Sequence, residues 1–150
     1  MPLVIFAMVA TGCGASPTEI EGSWTKPCEV GADSSSRVSI TNTNATEVGT
    51  VELFSDVNCA TALASANITS NFTLGAEVPS PAGAKKFNST FVSMTITPKT
   101  DSAASSLGAT SPCGSHWAKD IATDVTSCSG VIPGEVFYGL YKLGGDTLTR

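Results

Sequence analysis

Ala64-Ser65-Ala66-Asn67-Ile68-Thr69-Ser70-Asn71-Phe72-Thr73-Leu74 decides the fold class of this chain. Ala66, Ile68, Ser70, Phe72 and Leu74 fall on one face, and Asn67, Thr69, Asn71 and Thr73 on the other. A period of two with one polar face marks a β-strand that is wet on one side. Upstream, Glu47 to Phe54 reads as a strand, as does the alternating Arg37-Val38-Ser39-Ile40-Thr41, with a turn at Asn42-Thr43-Asn44 between them. Ile20 to Trp24 reads as an earlier strand ended by Pro27. Downstream, Pro79-Ser80-Pro81-Ala82-Gly83 breaks the pattern. Phe87 to Thr97 resumes it, with Phe87 and Phe91 on one face and Val92, Met94 and Ile96 on the other. Apolar residues on both faces predict a strand buried on both sides, or one lining a cavity.

The remaining segments complete a meander. Pro98 to Pro112 is rich in Ser and Ala and is expected to be a loop. His116 to Val125 is the one helix candidate, with Trp117, Ile121 and Val125 at i, i+4 and i+8; the alternative is two short strands turning at Ala122-Thr123-Asp124. Val136 to Leu143 is a strong strand, and Gly144-Gly145-Asp146 a hairpin turn. Short strands at near-regular spacing predict an all-β antiparallel barrel or sandwich with at most one short helix. Small inward positions at Ala64, Ala66, Ser70, Ser89 and Ser93 leave room for a cavity.

Composition agrees with β-structure. Ser, Thr, Asn, Gly, Ala and Val dominate, and β-branched side chains pack well on a pleated surface. Only 14% of residues are charged and the net charge is −5. Without a basic patch, the chain is not expected to bind nucleic acid or anionic headgroups electrostatically.

The amino terminus carries a targeting pattern. Ala10-Thr11-Gly12-Cys13, behind the apolar run Pro2 to Val9, resembles a bacterial lipobox. The resemblance implies a signal peptide over 1–12, cleavage before Cys13, and acylation of Cys13 (palmitate among its acyl groups). A lipidated tether over 13–19 and a domain over 20–150 follow. Gly14, where an Asp would signal inner-membrane retention, implies the outer membrane, facing the periplasm or the cell surface. A signal peptide carries a positive n-region, which implies a start upstream of Met1. The alternative reading of the same run is a buried N-terminal strand ending in a free cysteine. A membrane-spanning helix needs about 20 apolar residues, and this run is shorter.

With Cys13 set aside, Cys28, Cys59, Cys113 and Cys128 form an even set in a small exported chain, the pattern of a disulfide framework. Four cysteines allow three pairings. An antiparallel meander favours Cys28–Cys59 and Cys113–Cys128, because each joins neighbouring segments. Zinc is the alternative, but the spacing contains no C-x2-C pair, so no metal or cofactor is expected.

Three motifs in order carry a second resemblance. Glu21-Gly22-Ser23-Trp24 with Pro27-Cys28 resembles the opening of small lipocalin-like domains. Phe54-Ser55-Asp56 before Cys59 is similar to a segment of small bacterial envelope lipoproteins and of the extracellular APCDD-type module. Tyr138 to Tyr141 with Leu143-Gly144-Gly145-Asp146-Thr147-Leu148-Thr149 resembles the closing hairpin of lipocalin-like barrels. The resemblance implies a lipocalin-like barrel whose closing strand runs beyond Arg150, so the barrel is expected to be incomplete there. It also puts Arg150 where such barrels stack an arginine on the Gly-x-Trp tryptophan; the alternative is an incidental position.

No catalytic constellation stands out, and the chain is not expected to be an enzyme. Cys113-Gly114-Ser115-His116 holds the single histidine without a Gly-x-Ser-x-Gly elbow. Asp120 and Asp124 read as solvated carboxylates, and Trp24 as core. Tyr138 and Tyr141 lie on opposite faces of one strand, so one alone can point inward. Sequons at Asn44, Asn67, Asn71 and Asn88 fit a chain rich in Asn, Ser and Thr. The expected role is a membrane-anchored envelope lipoprotein binding a small hydrophobic ligand, with Phe72, Phe87 and Phe91 as candidate contacts. The alternative is a surface structural or interaction protein whose barrel is packed and whose partner is another protein.

Overall fold

The computed structural model describes residues 7–10, 19–114 and 116–150. Cys13 and most of the expected tether lie outside the described residues. The strands are β1 (Ala7–Ala10), β2 (Gly22–Thr25), β3 (Glu29–Val30), β4 (Ser35–Thr43), β5 (Thr46–Phe54), β6 (Ala62–Glu77), β7 (Lys85–Pro98), β8 (Thr123–Asp124), β9 (Val136–Gly144) and β10 (Thr147–Thr149), with one helix, α1 (Asp101–Thr110). All pairings are antiparallel. From β4 the sheet runs through β5, β6, β7, β9, β10 and β1 to β2, and β2 pairs back onto β4. The result is a nearly closed barrel. Its ring is completed at one end by short strands, among them β1, which lies within the stretch read as a signal peptide.

Side chains from every side meet at that end. Ile20, Trp24, Ile40, Phe72, Phe87, Tyr141 and Leu148 form one buried cluster, with Val38, Leu74 and Leu143 packed against it. Phe72 stacks on Phe87 at 5.8 Å, and Tyr141 meets Phe87 edge-on at 6.4 Å, the offset and T-shaped geometries aromatic quadrupoles favour. Trp24 is core, its Nε1 donating to the Ile20 carbonyl at 3.0 Å. Asn42 is buried too, because its Nδ2 donates to that same carbonyl at 3.0 Å. The β4–β5 turn therefore falls one residue later than expected, on Asn44 and Ala45, both at positive φ. Positive φ at both central positions is the type I′ requirement that matches strand twist.

Two sequence expectations are corrected. The helix is Asp101–Thr110, in the stretch expected to be a loop, and 116–125 is not helical. Thr100 caps α1, its side chain accepting from Ala103 N at 3.0 Å, and Asp101 sits in the first turn, where the helix dipole favours a carboxylate. At Asp120 the chain instead takes φ 59° and its N–H donates to the Pro98 carbonyl at 2.8 Å. The second correction is in β7. Ser70 pairs with Phe91 but Thr69 pairs with Ser93, so Val92 is an extra residue, a β-bulge. One inserted residue reverses the facing of everything after it. Met94 and Ile96, opposite Ile68 and Ala66, therefore share the inner face with Phe87 and Phe91, and Ser93, opposite Thr69, turns outward.

Cys28–Cys59 and Cys113–Cys128 are disulfides. The first is set by the turn after β5. Asp56 Oδ1 accepts from Asn58 N at 2.8 Å and Ala60 N at 3.1 Å, and Oδ2 from Thr61 N at 2.6 Å. Ser35 Oγ donates to the Asp56 carbonyl at 2.5 Å and accepts from Cys59 N at 3.0 Å. The hydrogen bonds from Ala60, Asn58 and Thr61 pull the Asp56 carboxyl down to about 2 from its ordinary 3.8. A depressed folded-state pKa gives stability that is present above the unfolded value and lost as pH falls through the folded one. Stability from this turn should therefore be full above about pH 4 and fade toward about pH 2. In urea titrations across that window, Asp56→Asn should lower stability at neutral pH and flatten the acid-side slope; an unchanged slope would remove Asp56 from this role. Breaking the bridge with Cys28→Ala/Cys59→Ala should cost about 2–5 kcal/mol in the same assay.

Candidate functional site

Above the buried cluster, the barrel interior opens into a cavity of about 340 Å³. β6 contributes Ile68 and Ser70, β7 contributes Phe87, Ser89, Phe91 and Met94, and β9 contributes Phe137. Val131, from the segment between β8 and β9, closes one wall. That segment is held against the bulge: Gly134 N donates to the Phe91 carbonyl at 2.9 Å, and Phe91 N to the Glu135 carbonyl at 2.9 Å. The space exists because small residues face inward. Ser70 and Ser89 line it, Gly49 lies opposite Ile68, and Gly139 lies opposite Phe87. A Cβ on Gly49 or Gly139 would meet nothing nearer than a carbonyl at 3.9 Å.

One charged pair sits in this apolar lining. Arg150 Nη2 contacts Glu47 Oε2 as an ion pair, and the guanidinium lies 4.0 Å from the centroid of Phe87. The cation–π partner of Arg150 is thus Phe87, not the Gly-x-Trp tryptophan. The two side chains are only 16% and 12% exposed. Arg150 Nε is buried without a hydrogen-bond partner among the described residues. Glu47 was not singled out from sequence, and Arg150 was placed on Trp24 rather than on Phe87 and Glu47. The signal for Glu47 is its place opposite Asn42 and Ser70, an inward position where a carboxylate needs a cation.

Phe87 and Phe91 line the cavity, whereas Phe72 lies beneath, stacked on Phe87 in the buried cluster. Tyr141 points into the core. Its hydroxyl donates to Glu19, which also accepts from Lys85 at 2.7 Å. Lys85 and then Tyr141 hold the Glu19 carboxyl below its ordinary value; burial and Glu19 push the Tyr141 phenol up. Tyr138 is 79% exposed and Phe137 48%. β10 pairs β9 only over Lys142–Gly144, so among the described residues the outer edge of Val136–Leu140 has no strand beside it. His116 is exposed, and Cys113 is consumed by its disulfide. Asp120 lies 3.7 Å from Lys99, and Asp124 accepts from Thr126 N at 2.8 Å; the Thr126 hydroxyl and then that N–H lower the Asp124 pKa. On the outer face Asn67 accepts from the Thr50 hydroxyl at 2.8 Å, and Asn71 is exposed.

No protein-family model matches the chain, and no curated protein matches it. The cavity and its ion pair carry the functional argument.

Removing one partner of a buried pair strands the other charge, whereas replacing both with apolar residues of similar volume is close to neutral. Glu47→Ala should therefore cost about 3 kcal/mol in urea unfolding, and Glu47→Leu/Arg150→Met should stay within about 1 kcal/mol of wild type. Equal losses would mean the pair is solvated.

Proposed function

We propose that this chain is an envelope lipoprotein module, anchored through Cys13, whose lipocalin-like barrel holds a small hydrophobic ligand beside the membrane. The observation that carries the ligand reading is the cavity of about 340 Å³ faced by Ile68, Phe87, Phe91, Met94, Val131 and Phe137. Small-molecule sites are concave, largely apolar, and start at about 300 Å³, with a few placed polar groups; this site fits a compact ligand. The Ala10-Thr11-Gly12-Cys13 sequence supports the anchor, and an outer-membrane address follows from Gly14. Each buried acyl CH2 contributes about 0.8 kcal/mol, so two or three chains make anchoring stable. Cleavage before Cys13 would take β1 with it, leaving β2 paired with β4 and β10 with β9.

A second reading, an interaction module with a protein partner, is favoured by the exposed aromatic side chains Phe137 and Tyr138 on β9.

Labelling with an acyl-chain precursor should tag the wild-type chain and spare Cys13→Ala; equal labelling would sink the anchor. On the unlipidated Cys13→Ala chain, an apolar fluorescent probe should bind stoichiometrically, with a negative heat-capacity change from apolar burial. Ser89→Trp should fill the cavity and abolish that binding while the circular dichroism spectrum is kept. Absence of saturable binding to the parent chain would leave the interaction reading standing.

A further inference from the structure

We infer that the groove between α1 and the segment 117–119 is a saccharide site, taking neutral pyranose units against Trp117 and between Asp101 and Lys119. The groove shares no lining residue with the barrel cavity and does not rest on the ligand reading above. Its volume is about 540 Å³, within the range of about 300–1,000 Å³ for small-molecule sites. Asp101, Ala104, Ser105 and Gly108 recur every three or four residues and so share one face of α1. Small side chains along that face keep the groove open, and the segment 117–119 forms the facing wall.

Both walls are held in place before any ligand arrives. Trp117 Nε1 donates to the Gly114 carbonyl at 2.8 Å, next to the Cys113–Cys128 bridge. Asp120 N donates to the Pro98 carbonyl at 2.8 Å, and the Asp120 carboxylate lies 3.7 Å from Lys99. Thr100 caps the helix that starts from the same end of β7. A preorganised site loses little of its binding energy to ordering.

The chemistry of the lining selects the ligand class. With Nε1 committed to Gly114, the indole offers the groove its carbon surface, and the negative face of an aromatic quadrupole attracts polarised C–H groups. Asp101 and Lys119 stand on opposite walls and form no ion pair among the described residues. An anion would meet Asp101, a cation would meet Lys119, and a hydrocarbon would desolvate both without a hydrogen bond. A pyranose answers each of them. Its ring C–H groups suit the indole, its hydroxyls donate to the Asp101 carboxylate, and its oxygens accept from Lys119 and Ser105.

The test is titration calorimetry and iodide quenching at neutral pH on the full Cys13→Ala chain, with maltohexaose, cellohexaose, chitohexaose and hexagalacturonate. Trp24 is 5% exposed, so iodide reports on Trp117. At least one neutral hexasaccharide should bind saturably and shield Trp117 from iodide. Hexagalacturonate, with a carboxylate on each ring, should bind about tenfold or more weakly because it meets Asp101. Asp101→Asn should weaken the neutral ligand about tenfold, the worth of a hydrogen bond to a charged group. Ser105→Tyr, at an exposed helix position, should fill the groove and abolish binding while the circular dichroism spectrum is kept. No saturable binding of the three neutral ligands, binding that leaves Trp117 open to iodide, or binding undiminished in Ser105→Tyr overturns the site. Equal binding of hexagalacturonate, or affinity unchanged in Asp101→Asn, overturns the neutral class.

Discussion

The carbonyl of Ile20 holds this barrel together where the sheet turns back on itself. It accepts from Trp24 Nε1 and from Asn42 Nδ2, both at 3.0 Å, inside an otherwise apolar cluster. β2 is four residues long, too short to bury much surface by itself. The two bonds tie Ile20, two residues ahead of β2, to β2 and to β4, so the chain entering β2 and its partner strand are fixed at one point. An unpaired carbonyl there would carry its full desolvation cost. Satisfying it twice makes Trp24 and Asn42 mutually dependent and lets Phe72, Phe87, Tyr141 and Leu148 close over them. The Trp24 of the Gly-x-Trp sequence is in this sense a hydrogen-bond donor as much as a hydrophobic plug.

The same end of the barrel sets the floor of the cavity. Phe72 is spent on stacking under Phe87, which turns the upper face of Phe87 toward the open end, where Arg150 covers it. From there upward the inner face changes from large to small at Ser70, Ser89, Gly49 and Gly139. The extra Val92 then brings Met94 and Ile96 inward. Packed floor and open upper half are produced by one pair of long strands, β6 and β7, whose residues differ in volume along their length. An eight-stranded barrel is only just wide enough to be filled by side chains or to hold one small ligand, and here one half is filled while the other keeps a cavity of about 340 Å³.

Polar side chains inside the barrel are tied to one another at least at one atom. Glu47 meets Arg150, Asn42 meets Ile20, and Tyr141 meets Glu19. Burial without a partner costs several times what a hydrogen bond returns. Among the described side chains, Asn42 Oδ1 and Arg150 Nε are buried without a hydrogen-bond partner, while Glu47 Oε2 and Arg150 Nη2 meet only each other as an ion pair.

Alternation from Ala64 to Leu74 was enough to set β-structure and to divide inner from outer face, because side chains of a strand must alternate whatever surrounds them. Gly144-Gly145-Asp146 likewise announced a hairpin, since φ is positive at Gly145. Spacing along the meander brought Cys28 near Cys59 and Cys113 near Cys128. The helix at Asp101–Thr110 was legible only through its cap, Thr100 with Ala103, which a Ser- and Ala-rich composition obscured. Tertiary structure alone decided the rest. The bulge at Val92 is invisible in a two-residue period, because it is defined by the partner strand that skips a residue. The pairing of Glu47 with Arg150 joins residues 103 positions apart (150 minus 47), one on β5 and the other just past β10, strands that are not neighbours in the sheet order. Local alternation sets which way a side chain points only as far as the next bulge, and only the closing of the barrel determines what it points at.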